Sequence, residues 1–126
     1  MSRIYLVRHG RAAADWGSHV DPGLDDVGRT QAEAMASELA PKGPLPLVVS
    51  PLRRTRETAA ALERRWELGA RIEPHYIAIN VAVGHALGDA RVTCFRPDYC
   101  SCTLLDVADG RLVLIELGAQ GATRVL

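Results

Sequence analysis

No run of about 18 consecutive apolar residues occurs in this chain, so nothing in it reads as a membrane span. The N-terminal Met1-Ser2-Arg3-Ile4-Tyr5-Leu6-Val7 reaches Arg8 and His9 too soon to hold the apolar centre of a secretory leader. Net charge is also missing. Fifteen Lys and Arg cancel fifteen Asp and Glu, leaving no global field to draw in nucleic acid or an anionic membrane. Cysteine is scarce: Cys94, Cys100 and Cys102 are odd in number, and Cys100-Ser101-Cys102 lacks the two-residue gap of a zinc knuckle. No second Cys/His pair lies nearby to complete four ligands, so reduced thiols in a soluble, cytoplasmic protein are the expectation. Internal repeats and low-complexity segments are absent as well.

What is present is an ordinary globular composition, 48% hydrophobic and 24% charged, over 126 residues. That length suits one domain, residues 1–126, burying about two thirds of the surface exposed by the unfolded chain. Ile4–Val7 reads as a buried strand that stops at Arg8-His9-Gly10. After the turn chemistry of Asp21-Pro22-Gly23, Asp25 or Asp26 offers an N-cap for a helix. It runs through Gln31, Ala32, Met35, Ala36 and Leu39, whose spacings of three and four place them on one face.

Leu47-Val48-Val49 is a second buried-strand candidate. A long helix from about Leu52 to Glu67 follows it, with Gly69 suited to its stop and Trp66 assigned to the core. Arg71-Ile72-Glu73 is a short third strand. Two strand–turn–helix units in series predict an α/β fold with a mainly parallel sheet flanked by helices. Thr103–Val107 and Leu112–Leu117, separated by Ala108-Asp109-Gly110-Arg111, predict a C-terminal β-hairpin.

Chemistry concentrates at two strand ends. Arg8 and His9 lie just past the first strand, at the edge where open α/β sheets hold ligands. Ser50-Pro51-Leu52-Arg53-Arg54-Thr55-Arg56 repeats the arrangement: strand end, turn, helix start, guanidinium cluster. If the strands are neighbours, Arg8 and one of Arg53 and Arg54 converge around His9 beside a helix N-terminus. Guanidinium forks and helix N–H groups suit a tetrahedral phosphate. An imidazole among them, with an unperturbed pKa near 6.5, keeps a lone pair at neutral pH for attack on phosphorus.

These residues resemble the histidine phosphatase superfamily, the phosphoglycerate-mutase-like proteins. The resemblance rests on Arg8-His9-Gly10 after a strand, on Leu24-Asp25 with Gly28, Gln31 and Ala32, and on Ser50-Pro51-Leu52-Arg53-Arg54-Thr55-Arg56-Glu57-Thr58-Ala59. It covers residues 3 to 73 closely, and the tail from His75 is similar to the C-terminal portion of the family. The resemblance implies that His9 becomes transiently phosphorylated and that Arg8 and Arg54 grip the phosphoryl oxygens. A second histidine faces the phosphate, an acid protonates the leaving oxygen, and water hydrolyses the phosphohistidine. No metal or other cofactor is implied, because arginines and histidines supply the positive charge. The implied partner is a small phosphorylated substrate, with neither nucleic acid nor membrane.

The chain departs from the family pattern between Pro74 and His75. Helices, the acid-bearing loop and the strand presenting the second histidine are missing there, as an internal deletion would leave it. Two registers remain open. Either Arg71-Ile72-Glu73 slides into the sheet and delivers His75, which residue-by-residue similarity favours, or the alternation Ile77, Ile79, Val81, Val83 forms a strand ending at His85. Asp15, Glu57 and Glu73 are the candidate acids. Ala12 stands where the family commonly has Thr or Ser. Arg53 and Arg56 are assigned to the solvated face of their helix. The functional readings are a phosphomonoester phosphatase acting through His9, a catalytically impaired phosphate-binding descendant, and a phosphomutase.

Overall fold

A computed structural model describes residues 2–13, 21–73 and 97–118. The chain divides into two compact units, one built from residues 1–8 and 77–126, the other from 9–76.

In the first unit, β1 (Ser2–Val7) pairs with β4 (Cys102–Ala108), and β4 pairs on its other edge with β5 (Arg111–Glu116). Both ladders are antiparallel, with Ile4 opposite Leu105 and Tyr5 opposite Leu104 in the first. The β4–β5 connection is the expected hairpin. Asp109 and Gly110 both sit in the left-handed region, at φ 51° and 74°, the backbone that a two-residue type I′ turn demands. Leu105 and Thr103 are fully buried, and the Thr103 hydroxyl accepts a hydrogen bond from the Gly118 N–H at 3.0 Å. Asp106, also buried, is neutralised across the ladder by Arg3, whose Nε lies 3.1 Å from its carboxylate.

The second unit contains a strand–helix–strand element. β2 (Val48–Val49) and β3 (Arg71–Ile72) run parallel, joined through α2 (Arg53–Trp66). Before them lies α1 (Asp26–Leu39), which continues into a turn of 3₁₀-helix over Ala40–Lys42. Asp25 caps α1, its Oδ1 accepting the Gly28 N–H at 2.7 Å. The periodic face of α1 buries Gly28, Ala32, Met35, Ala36 and Leu39, and α2 answers with Ala61 and Leu62. Met35, Leu39 and Leu62 each contribute about 1.5–3 kcal/mol by leaving water.

The expectation of a mainly parallel sheet is not confirmed: among the described residues only β2 and β3 are parallel, and the three-stranded sheet is antiparallel. The local strand–helix pattern sets the β2–β3 direction through its crossover helix. The partner of β1 arrives from some hundred residues further along the chain, and no local signal dictates its direction. Smaller corrections follow from local geometry. Val48 is exposed because the pleat turns it away from the face that holds Val49. α2 ends at Trp66 and is capped by Glu67, a non-glycine residue in the left-handed conformation (φ 52°), before Gly69 is reached. Trp66 is half-buried, because its indole N–H must reach the Ala40 carbonyl, 3.1 Å away.

Candidate functional site

The loop after β1 is held on its backbone. His9 places its Nδ1 2.7 Å from the Gly10 carbonyl oxygen. A carbonyl only accepts, so Nδ1 carries the proton and, in the neutral ring, the lone pair lies on Nε2. The Gly10 N–H donates to the Thr58 hydroxyl at 3.0 Å in a buried bond, and that hydroxyl donates onward to the Arg54 carbonyl at 2.8 Å. One side chain of α2 thereby ties the residue after the histidine to the residue that carries the second arginine.

Two glycines make the rest of this packing possible. A Cβ on Gly10 would stand 2.7 Å from the Gly28 carbonyl oxygen, and one on Gly28 would collide with the Arg11 carbonyl. The first turn of α1 therefore lies directly against the loop. Hydrogen bonds complete the clamp: Arg11 N–H to the Gln31 side-chain oxygen at 2.9 Å, Asp25 N–H to the Arg11 carbonyl at 3.1 Å, and Ala13 N–H to the Gly23 carbonyl at 2.8 Å. Arg11 also pairs through Nε with the Asp25 carboxylate. Partial burial by itself raises the Asp25 carboxyl. The Gly28 N–H and the Arg11 guanidinium outweigh it, and its pKa lies below the ordinary aspartate value.

At the start of α2, Leu52 has no capping side chain, and Asp21 supplies one, its Oδ1 accepting the Arg53 N–H at 2.9 Å. That helix N–H is therefore already occupied. Arg53 is exposed and pairs with Glu57 at 3.1 Å, and Arg56 is exposed, as expected of a solvated face. Arg54 differs. It is half-buried and, among the described residues, has neither an ion pair nor a side-chain hydrogen bond. The Ser50 and Thr55 hydroxyls lie 2.7 Å apart and brace the turn between β2 and α2.

Arg8 belongs to the other unit. Its backbone extends the β1–β4 ladder, donating to the Ser101 carbonyl at 3.1 Å and accepting from the Cys100 N–H at 3.0 Å. Its guanidinium lies 4.0 Å above the Tyr99 ring centre and donates through one N–H to the Pro97 carbonyl at 2.9 Å. Burial pushes the neighbouring Cys100 thiol up to about 12, against the opposing pull of Arg8 and with the help of Asp98.

Of the expected site residues, His9 and Arg54 are linked within one unit through Gly10 and Thr58, Arg8 is described in the other unit, and His75 lies outside the described residues, as do His85 and Asp15. Glu57 is committed to scaffolding. Oε1 accepts the Leu24 N–H at 2.8 Å and Oε2 meets Arg53. Glu73 pairs loosely with Arg71. Thr58 and Gln31 were legible as motif members, but their bonding was not: the spacing places Gln31 on one face with Ala32, Met35, Ala36 and Leu39, and only the structure shows its side-chain oxygen accepting the Arg11 N–H. Among the described residues, no group of three or more His, Cys, Asp and Glu side chains is placed to hold a metal ion, and no helix is long and apolar enough to cross a membrane.

Residues 4–77 match the profile of the histidine phosphatase superfamily (branch 1). The chain belongs to this superfamily. It is 32% identical over 99 residues to a glucosyl-3-phosphoglycerate phosphatase of Mycobacterium tuberculosis, covering 75% of this chain and 44% of the relative. Its structure is similar to that of a mycobacterial glucosyl-3-phosphoglycerate phosphatase in complex with VO3, with a TM-score of 0.51 and 38% identity, covering 57% of this chain and 38% of the other. At the level of fold alone it matches an Escherichia coli protein provisionally assigned as an alpha-ribazole-5'-P phosphatase, with a TM-score of 0.78 and 14% identity over 94% of this chain and 98% of that one. This superfamily member thus has phosphatases as relatives and spans less than half the length of the curated one it matches over 99 residues.

Proposed function

We propose that the chain is a cytoplasmic phosphomonoester phosphatase that works through a phosphohistidine on His9, with Arg8 and Arg54 binding the phosphoryl group and His75 as the second histidine. The observation that carries this reading is the His9 ring: the Gly10 carbonyl holds the proton on Nδ1, so the lone pair of the neutral ring is on Nε2, the atom this reading makes the nucleophile. The half-buried charge of Arg54, one hydroxyl link away and without an ion pair or side-chain hydrogen bond among the described residues, supports it. In the first step Nε2 bonds to phosphorus as the P–O bond to the alcohol breaks, and the leaving oxygen takes a proton. Water then attacks phosphorus, releasing phosphate and returning His9. The guanidiniums oppose the charge that develops on the equatorial oxygens. The substrate is a small phosphorylated molecule, and no cofactor, nucleic acid or membrane enters the scheme.

A second reading is favoured by Glu57. Both of its carboxylate oxygens are engaged in scaffolding, which leaves the proton donor unassigned among the described residues and suits a phosphate-binding descendant with impaired turnover. A mutase is the weakest reading, since it must exclude water from its intermediate. Hydrolysis of p-nitrophenyl phosphate at mildly acidic pH, in the parent chain and in His9→Ala, tests the proposal. The parent is expected to turn over and to leave an acid-labile, alkali-stable phosphoprotein, and the variant to do neither. A parent that binds orthovanadate without turnover supports the second reading instead.

A further inference from the structure

Thr58 is buried on α2, and its hydroxyl is spent twice: it accepts the Gly10 N–H at 3.0 Å and donates to the Arg54 carbonyl at 2.8 Å. The donation to Arg54 is a within-helix bond that any threonine can make to the carbonyl four residues earlier. The acceptance from Gly10 is different, because it joins segments 48 residues apart and satisfies a buried backbone donor. Gly10 is also the residue whose carbonyl sets the tautomer of His9. Gly28 also packs against Gly10, and the Thr58 hydroxyl links the loop to the Arg54 backbone.

We infer that Thr58 is a positioning residue: its hydroxyl, bonded at once to Gly10 and to Arg54, holds the nucleophilic histidine in register with the phosphate-binding arginine. This inference rests on the phosphatase reading above and adds a residue that itself touches neither phosphate nor the reacting atoms. Its effect belongs to the transition state, where nucleophile and arginine must act on the same phosphoryl group. A displacement of about 1 Å in such a pair costs roughly 100-fold in rate.

The test compares Thr58→Val, which removes the hydroxyl at near-constant volume, with Thr58→Ser, which restores it without the methyl group. In Thr58→Val, hydrogen exchange of the Gly10 amide is expected to accelerate at least tenfold. For p-nitrophenyl phosphate, kcat is expected to fall about 10- to 100-fold while KM moves less than threefold, the signature of an interaction realised in the transition state. Thr58→Ser is expected to recover slow Gly10 exchange and most of the lost rate. Unchanged exchange or unchanged kcat in Thr58→Val overturns the inference, as does a Thr58→Ser variant as impaired as the valine. If the parent chain shows no His9-dependent turnover, the phosphatase reading fails by itself. Gly10 exchange in the two variants then decides whether Thr58 holds the loop.

Discussion

Replacing Gly28 by alanine sets two well-characterised effects against each other. Gly28 lies in the first turn of α1, and helix propensity alone favours Ala over Gly by about 1 kcal/mol. The added methyl group, however, would overlap the Arg11 carbonyl oxygen and approach the Arg11 backbone nitrogen and carbonyl carbon to 3.0 Å. Backbone atoms do not swing aside as a flexible side chain does, so the helix must lift from the loop. Overpacking of this kind costs about 1–3 kcal/mol, and the lift also strains the bond from Arg11 N–H to Gln31 and the Asp25 cap. Subtracting the propensity gain leaves a net destabilisation of about 0–2 kcal/mol, before any loss from the strained bonds. At about 2–8 °C for each kcal/mol, the range that brackets a chain of this size, the upper end of that cost is a fall in Tm of several degrees. Gly69→Ala is the internal control, because among the described residues, its two chain neighbours aside, no atom lies within 4 Å of its added Cβ, and it is expected to be neutral or slightly stabilising. Thermal and urea denaturation measure both. A Gly28→Ala variant that melts above the parent would refute the claim that the loop and α1 meet backbone to backbone.

Arg54→Ala is expected to weaken binding of inorganic phosphate more than tenfold by titration calorimetry, as loss of a charge-assisted bidentate contact requires, and an unchanged affinity removes Arg54 from the site. The lowered Asp25 pKa makes its contribution to stability fully present above the ordinary aspartate pKa and lost as pH falls through the folded value. Tm should therefore decline on acidification below about pH 4, and Asp25→Asn should flatten that decline; equal slopes in the two proteins contradict the assignment. With its pKa near 12, the Cys100 thiol stays protonated at pH 7.5 and should resist iodoacetamide in the folded chain. Peptide mass spectrometry that finds Cys100 alkylated as fast in the native protein as in urea argues against its burial.

The local elements were readable because their causes are local. Asp25 precedes an apolar stripe of period 3.6, Asp109-Gly110 meets the backbone demands of a type I′ turn, and Arg71-Ile72 follows a crossover helix that leaves its strand parallel to β2. The guanidinium clusters at the ends of β1 and β2, and with them the superfamily, were legible for the same reason: those residues are consecutive in the chain.

Pairings across long separations could not be read in this way. The sequence supplies Thr58, Gln31 and Glu57 as polar residues on amphipathic helices, where solvent, a cap or a ligand are equally compatible partners. Only packing decided that Thr58 meets Gly10, that Gln31 meets Arg11 and that Glu57 meets Leu24, leaving Arg54 as the half-buried charge without a side-chain partner among the described residues. The antiparallel partner of β1 was settled in the same way, by a strand far along the chain. Hydrophobic periodicity and turn chemistry act over a few residues and so are written in the chain order. The direction of a distant ladder and the destination of a buried polar group depend on which surfaces close together, and that is decided only when the tertiary structure forms.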